Sequence, residues 1–472
     1  MTCDTFEKPE KQVESPYLML MVLMIGTFSG LFGETALNMA LPTLMDEFSI
    51  TAGIAQWLVT GYLLTLAIFM PVSAILTKWF NTRSLILNAI LISFIGCVIA
   101  TVATSIITLM IGRIVHAIGT AIILPVLINA ALVTFPKIKH AAIMGFVGIA
   151  ITLAPAIGPT LSGVIITFVN WRAIFIISAL LYMMIFMMTL SVVENIGDIS
   201  KPEVDVISIA LSALGFGGVV FSLSIMAETP LLSPTLWLSM MLGITSLILF
   251  AWRQGRITLP MINFRVFNQR EFSIGLFMMM LSIMSVLATA IVLPIYFMNV
   301  LKLEAALAGM FLLPGNIANV VLSPIVGNLY HRYDTRVFTV MGAVFILLSA
   351  AIFLGVVNES TSAWKISIAF TCLCCGVTCI IMPAQTTALS ALSKTLYADG
   401  SSVWNTLYQV SGAIGSAVSV TLMSQVTDKL LVSGGDISET AALSQGVNAV
   451  FYFILLIGAL SLYLAFKLRK PD

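Results

Sequence analysis

The sequence predicts an all-α protein that crosses a membrane fourteen times. Composition is the first reason. Of 472 residues, 59% are hydrophobic and 9% charged, and mean hydropathy is +1.07. A soluble domain carries about 25% charged residues, so this chain has too few to coat a water-exposed surface. Segment length is the second reason. The apolar runs reach about twenty residues, one helical crossing, whereas a transmembrane barrel would show alternating segments of about ten. The third is the distribution of Lys and Arg, set out below. Nucleic-acid binding is not expected, because 22 basic residues face 21 acidic ones and no basic surplus remains to neutralise phosphates. Disorder is excluded by the apolar area that must be buried.

The first span, 17–40, follows a mixed-charge stretch (Glu7, Lys8, Glu10, Lys11, Glu14). It is too long for a signal-peptide core and lacks a small-residue cleavage site. Spans then follow over 55–77, 84–105, 107–133, 141–166, 172–192, 205–227, 234–252, 271–299, 305–328, 336–356, 364–388, 403–425 and 447–466. An even count places both termini on one side. Seventeen Lys and Arg fall on that side, among them Lys78, Arg83, Lys137, Lys139, Lys201, Arg253, Arg332, Lys394 and Lys470. Four, Arg172, Lys302, Lys365 and Lys429, fall on the other, and Arg113 lies inside a span. Lys and Arg concentrate in cytoplasmic loops, so both termini are expected in the cytoplasm of a cell whose plasma membrane the chain spans.

An internal repeat organises the spans. Pro71, Leu76, Phe80, Thr82 and Arg83 share their spacing with Pro324, Leu329, Tyr333, Thr335 and Arg336, and Leu41-Pro42 answers to Leu293-Pro294. Transporters are often built from such halves. The 253-residue offset exceeds the length of six spans by enough for two more. The expected division is an N-terminal tail 1–16, a six-helix half 17–192, two inserted helices with their loops 193–270, a second six-helix half 271–466 and a tail 467–472.

Several motifs carry a family resemblance. Glu34-Thr-Ala-Leu-Asn38-Met-Ala-Leu-Pro42 lies in span 1, with Gln56-Trp57 and Tyr62 in span 2. Span 4 holds Arg113-Ile-Val-His116-Ala-Ile-Gly119. Span 5 reads Ala154-Pro155-Ala-Ile-Gly158-Pro159-Thr-Leu-Ser-Gly163 and is followed by Asn170-Trp171-Arg172-Ala-Ile-Phe175. Late spans carry Met382-Pro383-Ala-Gln385 and Asn405-x-x-Tyr408-Gln409-x-x-Gly412. Together these resemble the fourteen-helix drug–proton antiporter branch of the major facilitator superfamily, with Glu34 where Asp is usual and His116 in place of Gln. The resemblance implies the major facilitator fold, two six-helix halves around a central cavity, and proton-driven export. One loop departs from the pattern. Where the branch reads Gly-x-Leu-x-Asp-Arg after span 2, this chain has Ser73 and, near the acidic position, Lys78; the second copy keeps Gly327 and Leu329 but has His331.

Glu34 is the sharpest single residue. A carboxylate inside an apolar span is costly, and marks a functional site by default. Removal from water favours its neutral form, which suits a group that binds and releases a proton as water access changes. The plainer alternatives are a carboxylate at the outer interface or in a static ion pair. Depth argues against them: Glu34 lies eight residues before Pro42, about 12 Å inward at the helical rise. Arg113 and His116, i and i+3 on one helix face, reach similar depth. If spans 1 and 4 adjoin, the three form a proton-coupling cluster. Arg113 could equally be an anchor for backbone carbonyls, and His116 a helix–helix hydrogen-bond donor rather than a relay.

Substrate contacts are expected from Glu34, Asn38, Trp57, Tyr62, Asn316, Gln385, Asn405, Tyr408 and Gln409, with Met278, Met279, Met280, Phe28, Phe32, Tyr296 and Trp404 as further wall candidates. Met adapts to varied ligands and aromatic faces attract organic cations; ordinary packing explains any one of them as well. Pro155 and Pro159 bend span 5 by removing backbone donors. Gly158 and Gly163 permit close helix approach. That segment is read as a hinge or seal. Asp205, Glu228, Glu271 and Glu304 fall at span ends. Cys372, Cys374, Cys375 and Cys379 in span 12 read as small apolar filler rather than a metal site. No Gly-Lys dipeptide exists to form a nucleotide loop, so neither cofactor nor enzymatic activity is expected. The expected function is a monomeric secondary exporter of lipophilic, mainly cationic small molecules in exchange for protons. A metabolite or lipid-like cargo, or sodium in place of protons, are the nearer alternatives, and a non-transporting receptor the remote one.

Overall fold

The computed structural model describes residues 15–136, 139–196, 205–226, 229, 233–257, 260, 262–330, 332–393, 396–432 and 437–468. Lys8, Lys11, Lys137, Lys201, Glu228, His331, Lys394, Arg469 and Lys470 lie outside them. Among the described residues fourteen helices are long and apolar enough to cross a membrane, and no strand occurs. They are α1 (Pro16–Ala36), α2 (Trp57–Trp79), α3 (Thr82–Thr101), α4 (Ile106–Thr134), α5 (His140–Phe168), α6 (Arg172–Val192), α7 (Val206–Ile225), α8 (Pro234–Gln254), α9 (Arg270–Ile295), α10 (Ala305–Leu329), α11 (Thr335–Val356), α12 (Ala363–Ser390), α13 (Tyr397–Val432) and α14 (Glu439–Ala465).

The helices start and stop for local reasons. Ser105 and Ser438 cap α4 and α14 by accepting from the backbone N–H three residues on, at 3.2 and 3.1 Å. Asp205 does the same for α7, accepting from Ser208 at 3.3 Å. These side chains satisfy donors that a helix start leaves free. Three spans run longer than hydropathy suggests. After α1 the chain tightens into a 3-10 turn, Leu37–Ala40, and resumes as a helix over Leu41–Phe48. Pro42 falls in the first turn of that second helix, where its missing N–H costs nothing. The far end of the first span is thus Phe48, and Glu34 sits deeper than a count to Pro42 places it. Helix α13 covers 36 residues, about 54 Å at the helical rise, so polar turns extend it past a hydrocarbon core of about 30 Å. Helix α14 begins at Glu439, eight residues before the apolar run does.

Contacts repeat between the two sets of six. Helix α1 packs on α4, α5 and α6, α2 on α4, and α3 on α4 and α6. Shifting every label by eight gives α9 on α12, α13 and α14, α10 on α12, and α11 on α12 and α14, all of which are observed. The two sets meet along α2–α13 and α5–α10, a pair that the same shift exchanges. The internal repeat is therefore a repeat of packing. Thr82 and Thr335 both open a helix and are both buried. Their hydroxyls bond to Ile196 O at 2.9 Å and to Thr387 Oγ1 at 2.7 Å.

Inserted helices α7 and α8 pack on each other where Gly218 and Gly243 approach. An Asp205–Arg253 ion pair at 2.9 Å joins their ends. Among the described residues they dock along the α2–α13 seam. Helix α7 lies against α2 and α13, held by Thr421 donating to Leu223 O (3.0 Å) and Gln425 to Met226 O (2.8 Å).

Seen along the helices, the two ends differ. At the end away from the chain termini α5 and α10 touch backbone to backbone. Thr160 donates to Gly309 O at 2.8 Å and Ala306 N to Thr167 at 2.9 Å. Glu47 there accepts from Trp171 (2.6 Å) and Arg172 (2.8 Å). At the end that carries both termini, Asn129 of α4, Pro324 of α10 and Thr386 of α12 are exposed. A mouth cavity of about 250 Å³ opens there, lined by Met70 and Pro71 of α2, Pro125 and Asn129 of α4, and Ser402 and Asn405 of α13 among others. The structure is sealed at the far end and open at the terminal end.

Candidate functional site

Helices α1, α2 and α4 meet at a charged cluster, and small residues let them. A Cβ on Gly33 would lie 2.5 Å from His116 Cε1, and one on Gly30 would lie 2.3 Å from Thr120 Cγ2. Glycine at both positions lets α4 press onto α1, the small-residue packing typical of membrane interiors. Arg113 of α4 is thereby delivered to the α1 backbone. It is 0% exposed and donates Nη1 to Gly33 O at 2.6 Å and Nε to Leu58 O at 3.1 Å. Its guanidinium carbon sits 4.1 Å from the Tyr62 ring centroid, a cation–π contact. Nη2 is buried without a partner.

Glu34 follows Gly33 directly and is 6% exposed. Among the described residues it enters neither ion pair, those being Glu47–Arg172 and Asp205–Arg253. Arg113 and Tyr408 of α13 lie within Coulombic range of it. The arrangement is thus a buried acid next to a buried guanidinium that spends its strongest bonds on carbonyls. Among the described residues the acid and the guanidinium are not locked together in a closed salt bridge.

His116 is 1% exposed. Its Nε2 lies 3.0 Å from the Tyr182 hydroxyl, and its Nδ1 has no partner. The ring meets Tyr62 and Tyr182 edge-on, with centroids 5.4 and 5.5 Å apart. Tyr62 donates to Gly30 O at 2.9 Å and bonds Thr120 at 3.0 Å. Thr120 in turn donates to the backbone carbonyl of His116 at 3.1 Å, so the Tyr62 hydroxyl and the His116–Tyr182 pair are joined through the α4 backbone rather than by a side-chain relay.

The remaining sequence-named residues are dispersed. Asn38 is fully buried with both amide atoms unpartnered, and so is Gln56. Trp57 packs on Phe221 of α7, centroids 5.6 Å apart, so its ring belongs to the contact with the inserted pair. Asn405 lines the mouth cavity and donates to Ser401 O at 3.0 Å. Asn316 and Gln409 each leave one buried amide atom unpaired; Gln385 is half-buried on α12. Met278 and Met279 belong to the packed core, and Tyr296 bonds Asn358 O at 2.6 Å. The mouth cavity touches neither Glu34 nor Arg113.

The α5 motif reads directly as chemistry. Pro159 has no N–H for the carbonyl of Pro155. The Thr35 hydroxyl of α1 donates to that carbonyl instead, at 3.4 Å. A Cβ on Gly158 would fall 2.3 Å from Thr35 Oγ1, and one on Gly163 would fall 2.4 Å from Ala305 O. The motif therefore binds α1 on one face and α10 on the other, at the sealed end.

Two features escaped the sequence reading. Tyr182 was signalled by a phenol in the middle of an apolar run, and the Gly26/Gly30 spacing by the small-xxx-small pattern.

The sequence profile of the Major Facilitator Superfamily matches residues 23–416. The chain is 39% identical over 451 residues to the lincomycin resistance protein LmrB of Listeria monocytogenes, covering 95% of each. It is 39% identical over 476 residues to LmrB of Bacillus subtilis, covering 100% and 99%. Similarity extends to the multidrug export protein EmrB of Escherichia coli K12, at 26% over 424 residues, or 88% and 81% of the chains. Among solved structures, a peptide transporter POT bound to sulfate superposes with TM-score 0.69 at 14% identity, covering 96% of both chains. An inward-facing, unoccupied bacterial homolog of the human lysosomal transporter Spinster gives 0.67 at 12%, covering 96% and 97%; these two likenesses concern the fold alone. The chain belongs to the major facilitator superfamily: it is a multi-pass membrane transporter and not an enzyme.

Proposed function

We propose that the chain is a multidrug exporter of a bacterial plasma membrane, with both termini cytoplasmic, that exchanges protons for lipophilic compounds and cations foremost. The similarity to proteins named for lincomycin resistance and multidrug export supports the cargo class. The observation that carries the coupling is Glu34: a carboxyl 6% exposed, one residue from the carbonyl that anchors Arg113, and outside any ion pair among the described residues.

In this reading residues 17–192 and 271–466 rock against each other along the α2–α13 and α5–α10 seams. With the far end open, Glu34 takes a proton and its hold on a cation weakens. With the terminal end open it loses the proton and holds the cargo. Its ionised form can turn to the unpartnered Nη2 of Arg113 after the proton leaves and before cargo binds. One acid serving both ligands in turn makes their binding reciprocal, as linkage requires. His116 and Tyr182 fix the α1–α4–α6 packing around it.

The test is transport by the purified protein in proteoliposomes, over a panel of cationic, neutral and anionic compounds. Adding a cationic cargo should move protons, and Glu34→Gln should abolish that movement while the protein still folds. Movement that needs sodium and ignores pH, or coupling that survives Glu34→Gln, contradicts the proposal.

A further inference from the structure

The inserted pair builds a second cavity, on the outer side of the α2–α13 seam. It holds about 170 Å³. Its floor is Ala67 and Pro71 of α2 with Val403 and Thr406 of α13; its wall is Phe216 of α7 and Ala251 of α8. The chain between α8 and α9 roofs it with Ile262, Phe264 and Phe267. That roof is tied down. Gln254 accepts from Ile262 N at 3.2 Å and donates to Ser208 Oγ at 2.6 Å, and the Ser208 hydroxyl donates to Asp205. Phe264 and Phe267 stack with centroids 5.7 Å apart, and Phe250 meets Phe264 edge-on.

Three observations give the cavity direction and chemistry. Ala251 is exposed while it lines the cavity, so the opening lies on α8, among the lipid-facing side chains Ile248 and Trp252. At the other end Pro71 and Thr406 line both this cavity and the mouth cavity. The two cavities therefore adjoin at these two residues. That seam is polar. Thr406 is 4% exposed and its hydroxyl has no partner. Pro71 has no N–H for the Ala67 carbonyl one turn back. An unpartnered hydroxyl and a carbonyl without its usual helical donor thus stand at the deep end of a largely apolar pocket. An engineered apolar cavity of about 150 Å³ holds benzene, so this one takes about one aromatic ring.

We propose that this cavity is a lateral loading site, where a lipophilic ligand with an aromatic ring and a neighbouring hydroxyl, amine or amide enters from the bilayer before passing the Pro71–Thr406 seam into the mouth cavity. The assignment rests on the exporter reading and explains the inserted helices, which wall a port against the α2–α13 seam. The polar end group meets Thr406 and the Ala67 carbonyl, and the ring lies among Phe216, Phe264 and Phe267.

The test uses the full chain in lipid nanodiscs with Hoechst 33342, a membrane-partitioning dye, read by fluorescence titration. Ala251→Trp fills the opening, and the double variant Phe216→Ala/Phe267→Ala removes the wall. Each should weaken dye binding about tenfold, the discrimination expected of a single apolar pocket contact, and slow dye export, with melting temperatures near that of the unaltered protein. Thr406→Val, a near-isosteric change, should weaken binding in the same direction and guards against a folding artefact in the other two. Unchanged dye binding and export in all three overturns the proposal and is the result expected if an acyl tail merely fills the cavity. So does an unaltered protein that binds no dye. If the unaltered protein binds dye and the variants do not, yet no protons move, the loading site stands and the exporter reading falls.

Discussion

Gly33 joins packing to charge. Its missing side chain makes room for His116, and its carbonyl takes the shortest bond Arg113 makes. Adding a methyl group there should push α4 off α1 and lengthen that bond. Gly33→Ala is expected to cost about 1–3 kcal/mol, the usual range for overpacking, and to cut coupled transport together with stability. Thermal melting in detergent beside an antiport assay checks both; a variant that melts and transports like the parent contradicts the packing account. The acid, the guanidinium and the imidazole were all legible, because a charged or titratable residue in an apolar run is conspicuous. Their partners were not. Arg113 bonds two carbonyls, and Tyr62, Thr120 and Tyr182 come from three different helices. A carbonyl has no sequence signature, and which helices adjoin is a tertiary fact.

Single elements show how bends and seals are made. Pro159 frees a carbonyl that Thr35 satisfies from α1, while Gly163 meets Ala305 on α10. Gly163→Leu should hold the two backbones apart and favour the state open at the far end. Accessibility of far-end cysteine probes should rise and turnover should fall; a variant that turns over normally contradicts the assignment of that contact as a seal. The α7–α8 pair makes a different prediction. Asp205 accepts from Arg253 and from Ser208, and chiefly the Arg253 bonds hold its carboxyl down at about 2. A group whose value is depressed by folding contributes stability above its ordinary value of about 4 and loses it as pH falls toward the depressed one. The protection of α7 amides, their exchange rate relative to the intrinsic rate at the same pH, should therefore be flat from about pH 8 to about pH 5, where the carboxylate stays ionised. Asp205→Asn should speed that exchange at every pH in the interval. Span positions were readable from hydropathy, but the extent of the first span and of α13 was not, since a 3-10 turn and a further short helix continue the first, and polar turns the second, past the apolar run.

The molecule as a whole is two copies of one packing scheme with an asymmetric addition. The shared spacing of Pro71–Arg83 and Pro324–Arg336 revealed the scheme, because a loop constrains residue type more tightly than a lipid-facing helix does. The side on which α7 and α8 dock left no such trace: their contacts to α13 run through the carbonyls of Leu223 and Met226. Nor could the sequence indicate which end is closed, a property of how the halves lean rather than of any one residue. What the halves exchange turns on Glu34. Its role is tested most directly by counting protons when the purified protein, in weakly buffered detergent solution at neutral pH, binds a cationic dye without any membrane gradient. Glu34 should release a proton as the dye binds, and the Glu34→Gln protein should bind dye with no release. Dye binding that sheds the same protons in both proteins would contradict the account.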